Sequence, residues 1–416
     1  MNKKLLILGG IPLSKEIIDQ AHKMNVDVYI TDYLEDSPAK KFADKSFMVS
    51  TTDVDAVVEL IQKENIDGVI TGYVDMLLPY YVEIAEKSGL PCYATKEQFA
   101  ITTDKKIFKS KCKEFSIPVV KEYDFYQDQL DEIKYPVIVK PVDNSGARGI
   151  YICKDKEELI DNYNKSLVFS KSKQVLIEQF MNNEEATIFY LLNEGEIYLT
   201  AMADRHMHNF DNSLISLPIG YTFPSKYIKT FQQDLNPKII EMFKSLGMKN
   251  GMVFIQTFIE DGKCIVYEMG YRLTGSIETH IIEKALGINP LEYMINFALG
   301  NKNHITDYKI NPDYSSYFAN MTFLLNTGRI KNIKGINEIE TNPNLIHLFQ
   351  RYNTNDLLTD NIRGTLAQAF LRVLIKGESK ESLIETMDII KDKLEVIDSE
   401  NMNMLLNNFR YKDLIK

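Results

Sequence analysis

The chain has 416 residues, 44% hydrophobic and 25% charged, which is typical of a soluble globular protein with roughly two to four domains. Its formal net charge is −10, from 48 Lys and Arg against 58 Asp and Glu. This balance argues against a nucleic-acid interface, because binding to a phosphate backbone requires a net basic face. It is compatible with a local basic pocket for a small phosphorylated ligand.

The first residues and the cysteines bear on the compartment. MNKKLLILGG places two lysines before an apolar run, as a signal peptide does, but the run breaks at Gly9 and Gly10 and a polar helical pattern follows. No apolar run reaches the ~18 residues of a transmembrane helix, so no membrane partner is expected. Because the four cysteines lack CxxC spacing, we expect a cytoplasmic protein without disulfides.

The first hundred residues alternate between strand and helix patterns. Apolar runs at 5–8, 26–31 and 68–71 predict buried strands, with helices at 14–23 and 53–64 between them. This rhythm predicts a parallel sheet.

Two features follow the strands of that sheet. Gly9 and Gly10 precede Asp32 in loose imitation of a dinucleotide-binding fingerprint, but the GxG spacing and the third glycine are missing, which disfavours a nicotinamide oxidoreductase. Asp75 comes just after the third strand. Ligands of such sheets bind outside the carboxyl ends of the strands, so Asp75 is a substrate candidate.

The stretch YPVIVKPVDNSGARGIYIC, residues 135–153, ends a predicted strand at Lys140 and continues into a glycine-containing loop. Free backbone N–H groups in such a loop suit an anion. The lysine precedes the loop, whereas in a Walker P-loop it follows the glycines. An edge strand with a solvated lysine and a hairpin loop is the competing interpretation of this stretch alone.

The next segment, VLIEQFM at 175–181, is a strand interrupted by Glu178 and Gln179. Its backbone groups are suited to pairing with an adenine, and Glu185 follows within reach of a ribose. In isolation, a glutamate on a solvated strand face is the favoured interpretation.

Residues 251–276 contain two β-rich runs around EDGK, which predicts a hairpin. Gln256 and Glu268 are polar residues within these runs. A two-residue loop would place Gln256 opposite Tyr267 and turn Glu268 to the other face. A three-residue loop with Gly262 in the left-handed conformation would place Gln256 and Glu268 on one face, where their oxygens suit Mg²⁺.

A polar cluster at 200–210, TAMADRHMHNF, supplies further candidates. Arg205 and His206 are expected to face a substrate carboxylate or phosphate, and His280, after a Gly–Ser turn, is another substrate candidate. The HxH pair of His206 and His208 lacks a third nearby ligand in the sequence, so transition-metal binding there is disfavoured.

In their order and approximate spacing, these motifs resemble the ATP-grasp superfamily. The resemblance includes TDKKIFK at 103–109, covers roughly residues 1–300, and continues more weakly in the carboxy-terminal region. It implies an α/β and α+β architecture: an ATP-grasp fold with an N-terminal Rossmann-like parallel-sheet domain and a C-terminal α+β region. The implied domains are 1–100, 101–301 with a mobile lid at about 116–182, and 302–416.

The resemblance also implies an activity. Such enzymes use ATP and Mg²⁺, or Mn²⁺, to convert a carboxylate into an acyl phosphate, which an amine then displaces with release of ADP and phosphate. Positioning and charge neutralisation supply most of the catalysis. A purine-pathway enzyme similar to phosphoribosylglycinamide synthetase is the alternative. The expected partners are small-molecule carboxylates and amines, and the expected assembly is a homodimer.

The resemblance assigns a role to each matching residue. Those implied to bind ATP are Lys105, Lys140, Ser145, Gly146, Ala147, Arg148, Glu178, Gln179, Phe180, Met181 and Glu185. Gln256 and Glu268 are implied to bind magnesium, and Lys140 and Arg272 to act in catalysis.

Two positions depart from the family pattern. Gln256 stands where glutamate is usual, and Gly270 stands where asparagine is usual, which removes an oxygen ligand of a second Mg²⁺. A non-catalytic nucleotide-binding module is therefore a further alternative. Retention of the phosphate lysines, Glu268 and Arg272 favours catalysis.

Overall fold

The structure is a computed structural model that describes residues 2–125, 127–142, 149–209, 216–301 and 310–415. Its strands are β1 (Lys4–Leu8), β2 (Asp27–Thr31), β3 (Lys45–Phe47), β4 (Gly68–Ile70), β5 (Glu122–Tyr123), β6 (Val137–Pro141), β7 (Tyr151–Cys153), β8 (Val175–Gln179), β9 (Glu184–Asn193), β10 (Glu196–Asn209), β11 (Ser216–Phe223), β12 (Gly251–Glu260), β13 (Lys263–Gly270), β14 (Tyr317–Leu324), β15 (Gly328–Lys334), β16 (Leu345–Gln350), β17 (Leu357–Leu358), β18 (Ala369–Gly377) and β19 (Glu395–Asp398). Its α-helices are α1 (Ser14–Lys23), α2 (Val54–Glu64), α3 (Leu78–Ser88), α4 (Lys96–Thr103), α5 (Lys105–Glu114), α6 (Lys156–Val168), α7 (Ile228–Asp234), α8 (Asn236–Ser245), α9 (Thr279–Leu286), α10 (Pro290–Ala298), α11 (Ile336–Glu340), α12 (Lys380–Lys393) and α13 (Tyr411–Leu414).

The amino-terminal part forms the predicted parallel sheet, with strand order β3-β2-β1-β4. Strand β1, one of its two inner strands, is almost continuously apolar in sequence and almost fully buried, as expected for a sheet covered on both faces. The turn after β1 is bonded to the segment after β2, because the Gly10 N–H donates to Asp32 Oδ2 at 2.8 Å. The Ser37 hydroxyl donates to the same oxygen at 3.0 Å.

The rest of the fold is built on an eight-stranded sheet of order β13-β12-β9-β10-β11-β14-β18-β16. All its strand pairs are antiparallel. Strands β14, β16 and β18 come from the carboxy-terminal part of the chain, so one sheet joins that part to the middle. The carboxy-terminal part also contains a three-stranded sheet of order β17-β15-β19.

A four-stranded sheet of order β5-β8-β6-β7 carries helix α6. It has an apolar core of its own, built from Leu130, Val137, Val139, Leu159 and Ile177 among others. The loop predicted to cover phosphates follows β6, and its residues Ser145, Gly146, Ala147 and Arg148 lie outside the described residues.

The β12–β13 hairpin differs from both predicted alternatives. Its loop is the two-residue one, Asp261 and Gly262, and both have positive φ, at +50° and +75°. Nevertheless Gln256 pairs with Glu268, because the register shifts by one residue between Gln256 and Thr257. The parity expected from a two-residue loop was wrong, and so was the three-residue loop: a β-bulge places the two side chains on one face.

Two further points concern the helices. The helical stretch from Lys96 to Glu114 is divided at Asp104 into α4 and α5, because the Asp104 carboxylate accepts from the backbone N–H groups of Lys106 and Ile107 and so begins α5. Within the described ranges, none of the helices combines the length and apolarity that a membrane span requires.

Candidate active site

A cavity of about 800 Å³ lies between the four-stranded sheet of β5 to β8, which we call the small sheet, and the eight-stranded sheet, which we call the large sheet. One side is formed by residues that include Lys140, Ile152 and Glu178, and the other by residues that include Phe258 and Glu268. The volume is in the range of small-molecule and cofactor sites. We call this space the first cavity.

Three lysines lie at or just behind the first cavity: Lys140 on β6, and Lys105 and Lys109 on α5. The buried Glu178 carboxylate accepts from Lys109 and, at 2.5 Å, from Lys140. Burial disfavours the charged carboxylate, but the charges of Lys140 and Lys109 outweigh it and lower the pKa of Glu178. Lys105 also lines the cavity, and burial lowers the pKa of its ammonium while Glu268 opposes that change.

The segment after β8 lines the same cavity with Gln179, Phe180 and Met181. The N–H of Gln179 donates to the Lys121 carbonyl at 2.9 Å, and the N–H of Phe180 donates to the Pro136 carbonyl at 3.1 Å. Two of these three residues, which were predicted to contact the adenine, therefore use their N–H groups within the protein.

Glu185 lies in the first cavity and forms a network with Arg205 and Tyr267. Arg205 Nη1 is 2.5 Å from Glu185 Oε2 and donates to the Tyr267 hydroxyl at 2.8 Å, and that hydroxyl donates to the same Glu185 oxygen at 2.7 Å. Glu185 and Arg205 were predicted as separate ribose and substrate contacts. The structure instead brings them together, and Arg205 lines an adjoining cavity with Glu185.

Gln256 and Glu268 lie opposite each other on β12 and β13, and Glu268 lines the first cavity. An amide oxygen and a carboxylate oxygen are hard ligands of the type that Mg²⁺ prefers, with water completing the octahedron. The donor types therefore suit one Mg²⁺, but only Glu268, and not Gln256, is in the described linings of the two cavities.

A second cavity of about 450 Å³ adjoins the first, and Lys105 and Glu268 line both. Asp75 also lines the second cavity. Its carboxylate forms a bidentate pair with Arg272, with both N···O distances at 2.5 Å. The guanidinium lies 5.1 Å from the ring centroid of Phe254. Asp75, predicted as a substrate residue, and Arg272, predicted to act in catalysis, thus contact each other here.

Comparisons with known proteins agree with this geometry. Residues 104–305 match the family model described as the ATP-binding domain of the carbamoyl-phosphate synthase L chain. The matched segment carries the motifs from Lys105 to Arg272 that resemble the ATP-grasp superfamily.

Individual proteins extend the comparison. A formate-dependent phosphoribosylglycinamide formyltransferase of Prochlorococcus marinus subsp. pastoris is 30% identical over 188 residues, which is 43% of this chain and 48% of that protein. The chain thus spans about half the length of this relative. An L-amino acid ligase of Bacillus licheniformis superposes with a TM-score of 0.77 at 19% identity, over 96% of this chain and 99% of that one.

A phosphoribosylglycinamide synthetase of Anaerococcus prevotii gives a TM-score of 0.76 at 18% identity, over 96% of this chain and all of that one. These two likenesses show that the chain has the ATP-grasp fold, as the resemblance implied.

Two predicted substrate residues lie elsewhere in this ATP-grasp fold. His206 Nε2 is 2.8 Å from the Thr222 hydroxyl, and burial lowers the pKa of His206 to about 4. It lines the cavity that adjoins Glu185 rather than the second cavity. His280 Nε2 is 2.6 Å from Glu16 Oε2, and His280 is absent from the described linings of both the first and the second cavity.

The structure explains the departure at Gly270. A Cβ atom at this position would lie 2.2 Å from Phe254 Cε1, so the ring fills the space that an asparagine side chain needs. The same ring lies next to Arg272. The Phe254 ring therefore occupies the space that the asparagine side chain of the family pattern would need.

Two residues at the site were missed in the sequence. Lys109 lies four residues after Lys105, hence on the same side of α5, and this i, i+4 spacing in TDKKIFK was a usable signal. Tyr267 had no such signal, because only the bulge lets it contact Glu185 next to Glu268.

Proposed function

We propose that this chain is an ATP-dependent ligase that converts a carboxylate into an acyl phosphate and joins it to an amine, with release of ADP and phosphate. One observation carries the proposal: Lys105 and Glu268 line both cavities. A phosphate-binding cation and a metal-binding carboxylate at this junction suit transfer of a phosphoryl group from a nucleotide in one cavity to an acceptor in the other.

The proposed roles follow from where each side chain lies. Lys105 and Lys140 would neutralise phosphate oxygens in the first cavity, and the buried Glu178 holds Lys140 in place. Gln256 and Glu268 would hold Mg²⁺, which supplies further charge neutralisation when bound. Arg272 would stabilise the acyl phosphate or the substrate carboxylate, once it exchanges the Asp75 carboxylate for that ligand.

The remaining assignments around ATP are part of the same proposal. Glu185 would accept from the ribose hydroxyls, and the segment Gln179 to Met181 would contact the adenine.

The domain division 1–100, 101–301 and 302–416 also stays a proposal. The separate core of the small sheet supports the lid at about 116–182. A cytoplasmic location is supported by the four free cysteines, and a homodimer stays a prediction for sedimentation measurements.

The amine is proposed to be amino-acid-like, which the likeness to an L-amino acid ligase supports. A phosphoribosylglycinamide-type substrate is the second candidate, because the 30% identical relative is a phosphoribosylglycinamide formyltransferase.

The test is release of ADP and phosphate from ATP and Mg²⁺ with a panel of paired carboxylates and amines. The panel includes all amino acids, formate with phosphoribosylglycinamide, and phosphoribosylamine with glycine. We expect release that depends on one pair and that is lost in folded Lys140→Ala and Glu268→Ala variants.

Lys244→Ala and Glu241→Ala are the matched controls, because both residues are exposed on α8. They should retain full activity. ATP binding without stimulation by any pair would contradict the ligase and support the nucleotide-binding module.

A further inference from the structure

Three metal-ligating side chains from distant parts of the chain meet away from the two cavities. Glu16 lies on α1, His280 on α9 and His347 on β16. His280 Nε2 is 2.6 Å from Glu16 Oε2, and His347 Nε2 is 3.0 Å from Glu16 Oε1. The carboxylate is buried, with 4% of its side chain exposed. We call this group the Glu–His–His cluster.

The geometry of the cluster is convergent. One ligand atom from each residue lies within 4.8 Å of the other two. The two imidazole rings are stacked, with centroids 3.8 Å apart and an interplanar angle of 18°. Each directs its Nε2 to a different oxygen of the same carboxylate, so two imidazoles and one carboxylate face a common point.

We propose that the Glu–His–His cluster binds one divalent transition-metal ion, with Zn²⁺ as the best match. Two imidazole nitrogens and one carboxylate oxygen form a known type of Zn²⁺ donor set that leaves a fourth position for water. Imidazole also favours Zn²⁺ over Mg²⁺, which prefers oxygen ligands. This separates the cluster from Gln256 and Glu268, whose donors are both oxygens.

Binding requires only a small expansion. Tetrahedral ligands with bonds of about 2.0–2.1 Å lie roughly 3.3 Å apart. The present N···O distances of 2.6 and 3.0 Å would therefore increase by about 0.7 and 0.3 Å, with a rotation that opens the stacked rings.

A second observation points to a ligand near the cluster. The Tyr73 hydroxyl is buried and, within the part of the chain that the structure describes, has no hydrogen-bond partner. Burial, and then the charges of Glu16 and Glu278, raise the pKa of Tyr73 well above its usual range, so this hydroxyl keeps its proton and can donate it in a hydrogen bond. A metal-bound water would supply a partner for such a group.

The position of the site gives it a structural consequence. A bound ion would join the first helix, a helix that begins shortly after Arg272, and a strand of the carboxy-terminal part. It would hold the Arg272 segment against the domain that carries Asp75. The inference is independent of the proposed ligase, since it rests on residues outside both cavities.

The test uses the full chain without an affinity tag, freed of metal with a chelator. Co²⁺ is titrated while its visible ligand-field absorption is followed, and Zn²⁺ is then added in competition. We expect one equivalent of Co²⁺ with the absorption of a four-coordinate ion, displaced by Zn²⁺. His347→Gln and Glu16→Gln should weaken binding by at least about 100-fold, because even changes to groups behind the ligands cost 10–100-fold.

The matched control is His22→Gln. His22 pairs with Asp44 at 2.9 Å on the surface but is not part of the three-residue group, so this variant should bind as the unaltered chain does. The absence of stoichiometric binding in the unaltered chain would overturn the proposal, as would binding that is unchanged in folded His347→Gln.

A further measurement is needed if the cluster variants do not fold. X-ray absorption of the Zn²⁺-loaded unaltered chain then decides, with two imidazole ligands expected. A spectrum without imidazole ligands would overturn the proposal, and the cluster would then be an ion-paired triad only.

Discussion

The two sides of the first cavity hold charged side chains of opposite sign, each with its own counter-ion. On the small-sheet side, Lys140 faces the cavity, and one buried carboxylate, Glu178, holds both Lys140 and Lys109. On the large-sheet side, carboxylates face the cavity and one arginine, Arg205, holds Glu185. Each side therefore carries its own counter-ion, so its charges are positioned before a ligand arrives, as electrostatic preorganisation requires.

The two counter-ions, Glu178 and Arg205, differ in how many other partners surround the groups that they hold. Glu178 is 2% exposed, and Lys109 has, besides carboxylates, a single further acceptor at the Val120 carbonyl among the described residues. Arg205 also donates to the hydroxyls of Tyr221 and Tyr267. Glu178 is thus the partner that both lysines share, with Glu122 and the Val120 carbonyl as further partners of Lys109, whereas the carboxylate side is held by a network.

The largest effect is expected for Glu178→Gln, which leaves two lysines without their buried carboxylate. We expect a loss of about 3–5 kcal/mol in the free energy of unfolding, the cost of removing one partner of a buried ion pair. Urea denaturation measures it, with exposed Glu241→Gln as the control. A loss below about 1 kcal/mol would show that the lysines find other acceptors.

Gly270→Asn tests the packing near the large-sheet side. Because the added Cβ would lie 2.2 Å from the Phe254 ring, we expect a destabilisation of about 1–3 kcal/mol. Thermal unfolding measures it. Adding Phe254→Leu should recover part of the loss, and a stable single variant would contradict the proposed steric exclusion.

Glu185→Gln should have a smaller effect on folding than Glu178→Gln, because Arg205 keeps its two tyrosine hydroxyls. For the proposed enzyme we expect the KM for ATP to rise about tenfold, equivalent to about 1.4 kcal/mol, with little change in kcat. Initial rates against ATP concentration test this. An unchanged KM would remove Glu185 from the ATP site.

The last effect depends on pH. His206 has a folded pKa of about 4, below the roughly 6.5 of an unfolded histidine. Between these values the unfolded chain binds more protons, so His206 makes stability rise with pH from about 4 to 6.5. His206→Gln should flatten the dependence of the melting temperature on pH in this window. An unaltered slope would show that the imidazole titrates normally.

Some features were determined by local sequence. The strand and helix rhythm of the first hundred residues predicted the parallel sheet, and the helix predicted at 14–23 is α1. The ordered motifs from Lys105 to Arg272 predicted the ATP-grasp fold. These features depend on apolar periodicity and on the order of short motifs, both of which can be read without knowing which segments meet.

Other features were decided only by the tertiary structure. Strand parity alternates every residue, so one bulge at Gln256 reverses what loop length predicts for Glu268. Asp75 and Arg272 are 197 residues apart, and Glu16 and His347 are 331 apart. Such pairs have no local signal, because packing of whole elements brings their side chains together, and this packing built both the Asp75–Arg272 pair and the Glu–His–His cluster.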